Sequence, residues 1–266
     1  MITADFHVHS SFSDGANSPE EIVAAALAMG MTHLGFADHG YAPYDADCCM
    51  PAERVEPYRA EIARLKENYR GTLAVFCGVE QDIFSGAPGA GFDYVIGSVH
   101  YVCADGVYYA IDDTPEKLAD AVQTAFGGDP YALIEEYYRT VSRVAERTAC
   151  DIIGHFDLIS KFSEKRPWFD PAHPRYIAAW RGAAEALLQT GLPFEINTGA
   201  MSRRWRTQPY PARDILVYLR SRGARFVLSS DSHSAGTLCW DFARQEADSA
   251  ALGLELVRFS PQRKTE

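Results

Sequence analysis

Residues 5–15 read DFHVHSSFSDG, and the two histidines one residue apart set the problem. In an extended strand successive side chains point to opposite faces, so Asp5, His7 and His9 are expected on one face and Phe6 and Val8 on the other. Two imidazoles converging on one point, with Ser10, Ser13 and Asp14 following at once, form the start of a donor set for a metal ion. A strand can also carry two solvated histidines. The pair therefore acquires meaning only from what the rest of the chain brings beside it.

Outward from this strand the chain repeats one rhythm. Ser18, Pro19, Glu20 and Glu21, with Gly30 at the far end, give NSPEEIVAAALAMGM the cap, the first-turn acids and the stop of a helix. THLGFADHG then reads as a short buried strand, PAERVEPYRAEIARLKENYRG as an amphipathic helix and LAVFCGVE as another strand. FDYVIGSVH, DIIGHFD, LPFEIN and ARFVLSSDSH continue the strands. TPEKLADAVQTAFGG, PYALIEEYYRTVSRVAERT, PRYIAAWRGAAEALLQTG and ARDILVYLRSRG continue the helices, and a last helix ends near Leu252. Strands that are apolar on both faces, alternating with helices, imply an α/β fold with a parallel sheet covered by helices. Roughly seven such units, uninterrupted by a linker, charge run or repeat, favour one domain over residues 1–266 closed as a barrel, and an open doubly wound sheet shares the pattern.

With 47% hydrophobic and 23% charged residues among 266, the chain can bury a sizeable core and is not a disordered protein. A formal charge of −11 repels phosphate backbones, so nucleic acid is not an expected partner, while bound cations could reverse the field for a short anionic substrate. No apolar run approaches the roughly 18 residues that cross a bilayer, and the start lacks a secretory signal, so no membrane partner is expected and the cytoplasm is the expected location. The cysteines show no CxxC spacing and read as packed, reduced thiols; the adjacent pair Cys48 and Cys49 is the one place where oxidation is worth testing.

The strand ends carry, in order, His7 and His9; Asp38 and His39; Glu80; His100; His155 and Asp157; Glu195 and Asn197; Asp231 and His233. Of the 8 histidines only His33, expected to cap or pack at the start of its strand, and His173, expected in solvent, lie elsewhere. In a parallel barrel all C-terminal strand ends open onto one face, so these residues would meet in one cup. Several imidazoles with several carboxylates and no thiolate suit zinc, manganese or iron better than calcium, and so many ligands imply more than one ion.

The motifs HVHSSFSDG, FADHG, GVE, GSVH, IGHFD and SSDSH, spread over nearly the whole chain, resemble those of the polymerase-and-histidinol-phosphatase (PHP) family of metallohydrolases. Within that family, DIIGHFDLISKF, EINTGAMSRR, PYPARDIL and the two-helix insertion GDPYALIEEYY are similar to bacterial histidinol-phosphatases. The resemblance implies a distorted (β/α)7 barrel with three divalent ions in the cup and hydrolysis of the small substrate L-histidinol phosphate in histidine biosynthesis. By motif, His7, His9, Glu80 and Asp231 would hold one ion; Glu80, as a bridge, His100 and His155 a second; and Asp14, His39 and His233 a third. An aspartate at position 14 would harden the third site and favour manganese or iron over zinc. Two ions bridged by Glu80 would convert a shared water to hydroxide at neutral pH, the expected nucleophile, and the leaving alcohol would take its proton from a bound water or through Asp38 or Asp231.

Other assignments follow from position. Asp38, beside His39, could orient that imidazole or simply form a turn before Gly40. Arg203, Arg204 and Lys161 could clamp phosphate, or be ordinary exposed loop cations. Glu195, Asn197 and Asp82 could receive an ammonium, and Phe12 or Tyr101 could pack on an imidazole. EEYYRTV has helical spacing and reads as core. Two alternatives stay open: a phosphoesterase of the same family acting on another small ester or a phosphoprotein, and a barrel whose ions only hold it together for a binding role. A polymerase proofreading module fits the charge poorly, and the oligomeric state is not legible.

Overall fold

Ser18 accepts a hydrogen bond from the Glu21 backbone N–H while Glu21 Oε2 accepts one from Ser18 N at 2.8 Å, a reciprocal cap that starts α1 (Pro19–Ala28). The computed structural model describes residues 3–261, and in it this helix is the first crossover between two parallel strands. β1 (Ala4–Val8), β2 (His33–Phe36), β3 (Ala74–Asp82) and β4 (Tyr94–Ser98) pair in that order, with α2 (Val55–Asn68) between β2 and β3. An antiparallel hairpin, β5 (Tyr101–Ala104) and β6 (Val107–Ala110), stands outside the main sheet. After α3 (Pro115–Ala125), α4 (Pro130–Val141) and α5 (Val144–Thr148) the sheet resumes with β7 (Ile152–Ile153), then α6 (Pro174–Leu188) and β8 (Phe194–Asn197). The short α7 (Gly199–Ser202) and α8 (Arg213–Ser221) lead to β9 (Arg225–Ser229), and α9 (Phe242–Leu252) to the two-residue β10 (Glu255–Leu256).

The sheet curls until its ends meet. At the C-terminal rim Ser232 N donates to His7 O (3.1 Å) and His9 N to Ser232 O (2.8 Å), so the segment after β9 pairs with β1. Just below, the buried Asp5 carboxylate accepts from Ser230 N, Ser230 Oγ and Cys239 N at 2.5–3.1 Å. At the opposite end β10 pairs with the start of β9, and Phe259 packs edge-on to Phe6 and Tyr94. This is the expected distorted barrel, with β10 as an addition to the seven strands.

Phe6 of β1, Tyr94 and Ile96 of β4, Ile152 of β7 and Val227 of β9 form one buried cluster in the barrel's interior. Tyr94 fills it and its hydroxyl donates to Phe6 O (2.6 Å) and Phe36 O (3.0 Å), tying three strands together. The ring fits because β2 and β3 offer glycine there: a Cβ on Gly78 would lie 2.2 Å from the ring, and one on Gly35 2.3 Å from the hydroxyl.

Four readings need correction. The pairing of β1 with β2 slips between Asp5 and Val8, which breaks the alternation: Phe6 joins the interior while Asp5 turns to the seam. The single helix expected over 130–148 divides at Ser142, whose hydroxyl donates to Arg139 O at 2.7 Å and competes with the helical pattern. The hairpin was missed although Asp105 and Gly106, both at positive φ (50° and 78°), are the Asp-Gly turn such hairpins prefer. His173 is not free in solvent either, since it stacks on Tyr131 at 3.8 Å and accepts from Arg175 N to cap α6. EEYYRTV is core as expected, with Tyr137 and Tyr138 buried. Cys48 and Cys49 carry free thiols, and burial, reinforced by Asp45, raises Cys48 to about 11. Among the described residues no helix is long and apolar enough to cross a membrane.

Gly78→Ala is expected to destabilise the protein by about 2 kcal/mol through overpacking against Tyr94. A urea midpoint equal to that of the parent would contradict this role of the glycine.

Candidate metal centre

β1, β2, β3, β4 and β7 and the turn after β9 deliver polar side chains to one rim, and Glu80 stands at their centre. Near the end of β3, and 1% exposed, its carboxylate lies 2.8 Å from His155 Nε2, 2.9 Å from His39 Nδ1, 3.2 Å from His7 Nε2, 3.4 Å from His100 Nε2 and 3.5 Å from His9 Nε2. Ser98 Oγ donates to it at 2.6 Å. The imidazoles form a chain, His155 to His100 at 5.0 Å between centroids, His100 to His39 at 5.2 Å, His39 to His9 at 4.5 Å and His9 to His233 at 4.1 Å. Asp14 lies 3.1 Å from His233 Nε2, 3.6 Å from His9 Nδ1 and 3.7 Å from His39 Nε2. Asp231 Oδ1 lies 3.3 Å from His9 Nε2. Asp231 has a left-handed backbone (φ 48°), a strained turn at the point where the chain leaves β9.

These groups fit cations. His7 Nε2 and both ring nitrogens of His9 are buried without a hydrogen-bond partner, although imidazole nitrogens in a dry site need one. His9, Asp14, His39 and His233 present donor atoms all within 4.8 Å of one another, and so do His7, His9 and Glu80, and His39, Glu80 and His100. The charges tell the same story. Burial, then the neighbouring His233 and His39, push His9 down to about 3, leaving the neutral ring that can ligate. Burial also opposes charge on His39, but Asp14 and Glu80 prevail and raise it to about 9. The Glu80 carboxyl is held well below its usual range by His7, His39 and His100 in spite of its burial, and Asp231 by Arg203 and His7. A centre that holds its carboxylates ionised demands compensating positive charge, which divalent ions supply while displacing protons from the imidazoles.

A PHP domain model matches residues 5–199. The chain belongs to the PHP domain family. It is 33% identical over 269 residues to the probable histidinol-phosphatase of Deinococcus radiodurans, covering 96% of this chain and 95% of that one. Among solved structures it is similar to a candidate histidinol phosphatase of Listeria monocytogenes, with a TM-score of 0.77, 17% identity and coverage of 91% of this chain and 99% of that one. It is also similar to the histidinol phosphate phosphatase of Lactococcus lactis complexed with zinc, L-histidinol and phosphate, with a TM-score of 0.69, 20% identity and coverage of 96% and 95%.

Several side chains of this PHP domain stand elsewhere than expected. Asp38 does not touch His39, because adjacent residues of an extended segment point to opposite sides; it is buried behind the rim and accepts from Ser10 N and Oγ and from Ser13 N and Oγ at 2.7–3.1 Å. It braces the loop that carries Asp14. The imidazole-orienting carboxylates are instead Glu195, which receives His7 Nδ1 at 2.6 Å, and Asp82, which lies 3.3 Å from His100 Nδ1 and accepts from His100 N at 2.9 Å. Burial works against charge on Glu195, and the His7 ring more than offsets it. Glu195 and Asn197 cannot meet an ammonium in the cup. Asn197 pairs with Ser229, two residues below Asp231, so this layer lies under the rim, and Asn197 spends its amide on Glu195 and Gly199 N.

Arg203 does reach the rim: it donates to Asp231 O and Asp231 Oδ2, each at 3.0 Å, and stands 3.0 Å from His233 Nδ1. Arg204, at φ 60°, is thrown outward and exposed. Lys161 lines the same cavity, but its ammonium is held by Asp112 O (2.6 Å) and Asp112 Oδ2 (3.1 Å). Asp157 is bound to Ser160, Ala212 N and Arg206 rather than facing the cup, and Phe12 packs on Tyr58. Asp112 and Tyr44 were missed. Tyr44 donates to Asp82 at 2.7 Å and stacks on Tyr108 of the hairpin at 4.5 Å, which closes one side of a cavity of about 1060 Å3 above the centre.

Glu195→Gln keeps the shape but not the charge behind His7. Metal affinity measured by chelator competition should fall about 10- to 100-fold. Equal affinity would show that Glu195 does not tune that ring.

Proposed function

We propose that this chain is a metal-dependent phosphomonoesterase, a histidinol-phosphatase that hydrolyses L-histidinol phosphate to L-histidinol and phosphate in cytoplasmic histidine biosynthesis, with residues 1–266 as one catalytic domain. The observation that carries the reading is the buried Glu80 carboxylate ringed by imidazoles, with His7 Nε2 and both ring nitrogens of His9 left without a hydrogen-bond partner. The similarity to the D. radiodurans protein over nearly its full length supports the substrate.

Three ions, of zinc, manganese or iron, suit the donor set. His7, His9, Glu80 and Asp231 would hold one; Glu80, His100 and His155 a second; Asp14, His39 and His233 a third, with His9 and His39 close enough to adjoin two groups. When bound, such ions supply Lewis acidity toward phosphate oxygens and lower the pKa of water in the site. The protein's own part is to orient and to exclude. Glu195 and Asp82 fix His7 and His100, Ser98 fixes Glu80, and Ser10 and Ser13 hold their loop against Asp38. Arg203 presents a fixed guanidinium beside Asp231, placed to receive phosphate oxygens. Asp231 stands beside His9 and accepts from the Arg203 guanidinium, so one carboxylate would serve the ion and hold the arginine. Tyr44, Tyr101, Asp45 and Asp112 on the cavity wall suit a leaving group that carries an aromatic ring and a cationic amine.

With manganese or zinc supplied, kcat/KM for histidinol phosphate should exceed that for p-nitrophenyl phosphate or glycerol phosphate at least about 100-fold. The reverse order would move the activity to another ester, and silence with stoichiometric metal bound would leave a non-catalytic barrel. Glu80→Gln should lower kcat about 1000-fold or more while circular dichroism stays unchanged. Activity within about tenfold of the parent would remove Glu80 from the centre of the chemistry.

A further inference from the structure

Arg206 is a charged side chain buried to 7% exposure on the loop that leaves β8, three residues beyond Arg203. Burying a guanidinium is costly unless its donors are used, and here they are spread over two loops. Its guanidinium donates to Ser160 Oγ, lies 3.5 Å from Asp157 Oδ2, and donates to Gln208 O and Pro209 O at 3.3 Å each. The same group covers the Tyr210 ring at 4.4 Å. Asp157, fully buried, accepts from Ala212 N at 3.1 Å, so the ion pair grips the loop after β8 at both ends of 206–212. Asp157 and Ser160 belong to the other loop, between His155 and Lys161.

Arg203 has little freedom relative to Arg206. Trp205 N and Arg206 N both donate to Ala200 O, at 2.8 and 3.2 Å, and Arg204 makes the left-handed turn that follows Arg203. Trp205 packs edge-on to Phe162, next to Lys161, at 4.9 Å. We propose that Arg206 is a positioning residue: paired with Asp157 and Ser160, it locks the loop after β8 onto the loop after β7 and so holds Arg203 in one orientation above the cup. This rests on the reading that the cup takes a phosphate group.

The test is a double-mutant cycle on the metal-loaded protein, with inorganic phosphate affinity by calorimetry and KM and kcat for histidinol phosphate as readouts. Arg206→Met should weaken phosphate binding at least about tenfold with unchanged metal content, and Arg206→Lys should fall between it and the parent. Arg203→Ala should lose most of its effect in the Arg206→Met background. Additivity to within about twofold would overturn the proposal and leave Arg206 a purely structural residue. Should Arg206→Met fail to fold, the cycle with Arg206→Lys decides in the same way. A parent that binds phosphate but does not turn over histidinol phosphate would sink the substrate reading and leave the cycle interpretable; one that binds no phosphate would sink both.

Discussion

One buried carboxylate organises this molecule. Glu80 lies on the longest strand of the barrel, almost without contact to water, and five imidazoles from four other rim segments stand within 3.5 Å of it. A lone ionised carboxyl in such a place would be prohibitively costly, so its surroundings must carry positive charge. Each other layer of the site serves that requirement: imidazoles touch Glu80, carboxylates such as Glu195 and Asp82 hold the imidazoles, and serines hold the carboxylates.

Below the cup the barrel is apolar. The Tyr94 ring and its aliphatic neighbours seal the interior, and the tyrosine hydroxyl is spent on backbone carbonyls of β1 and β2 rather than offered upward. Polar chemistry is thus confined to one end. The low dielectric beneath strengthens every electrostatic contact in the cup.

The periodic part of this design was legible in the sequence, because strand and helix patterns, the Ser18 cap and the placing of ligands at strand ends follow from local rules. The register was not. Asp38 and His39 are neighbours in sequence and point apart, a relation that alternation alone would have revealed, whereas Glu195 and Asn197 lie one layer too low, which only the pairing with β9 shows. Arg203 and Arg204 are adjacent arginines with opposite fates, decided by a single left-handed residue that no composition signals. Arg206, unremarkable in sequence, turned out buried, and its partner Asp157 was expected among the rim donors.

The seam of the barrel has its own consequence. More than 220 residues separate His7 and His9 from Asp231 and His233, and the segment after β9 joins β1 through Ser230, Ser232 and Cys239 as well as through these rim side chains. During synthesis the first histidines leave the ribosome long before their counterparts exist. The two close-set donor groups around Glu80 are complete by residue 100, whereas the group of His9, Asp14 and His39 gains His233 only once the chain beyond β9 is made, so the centre is assembled in two stages along the sequence.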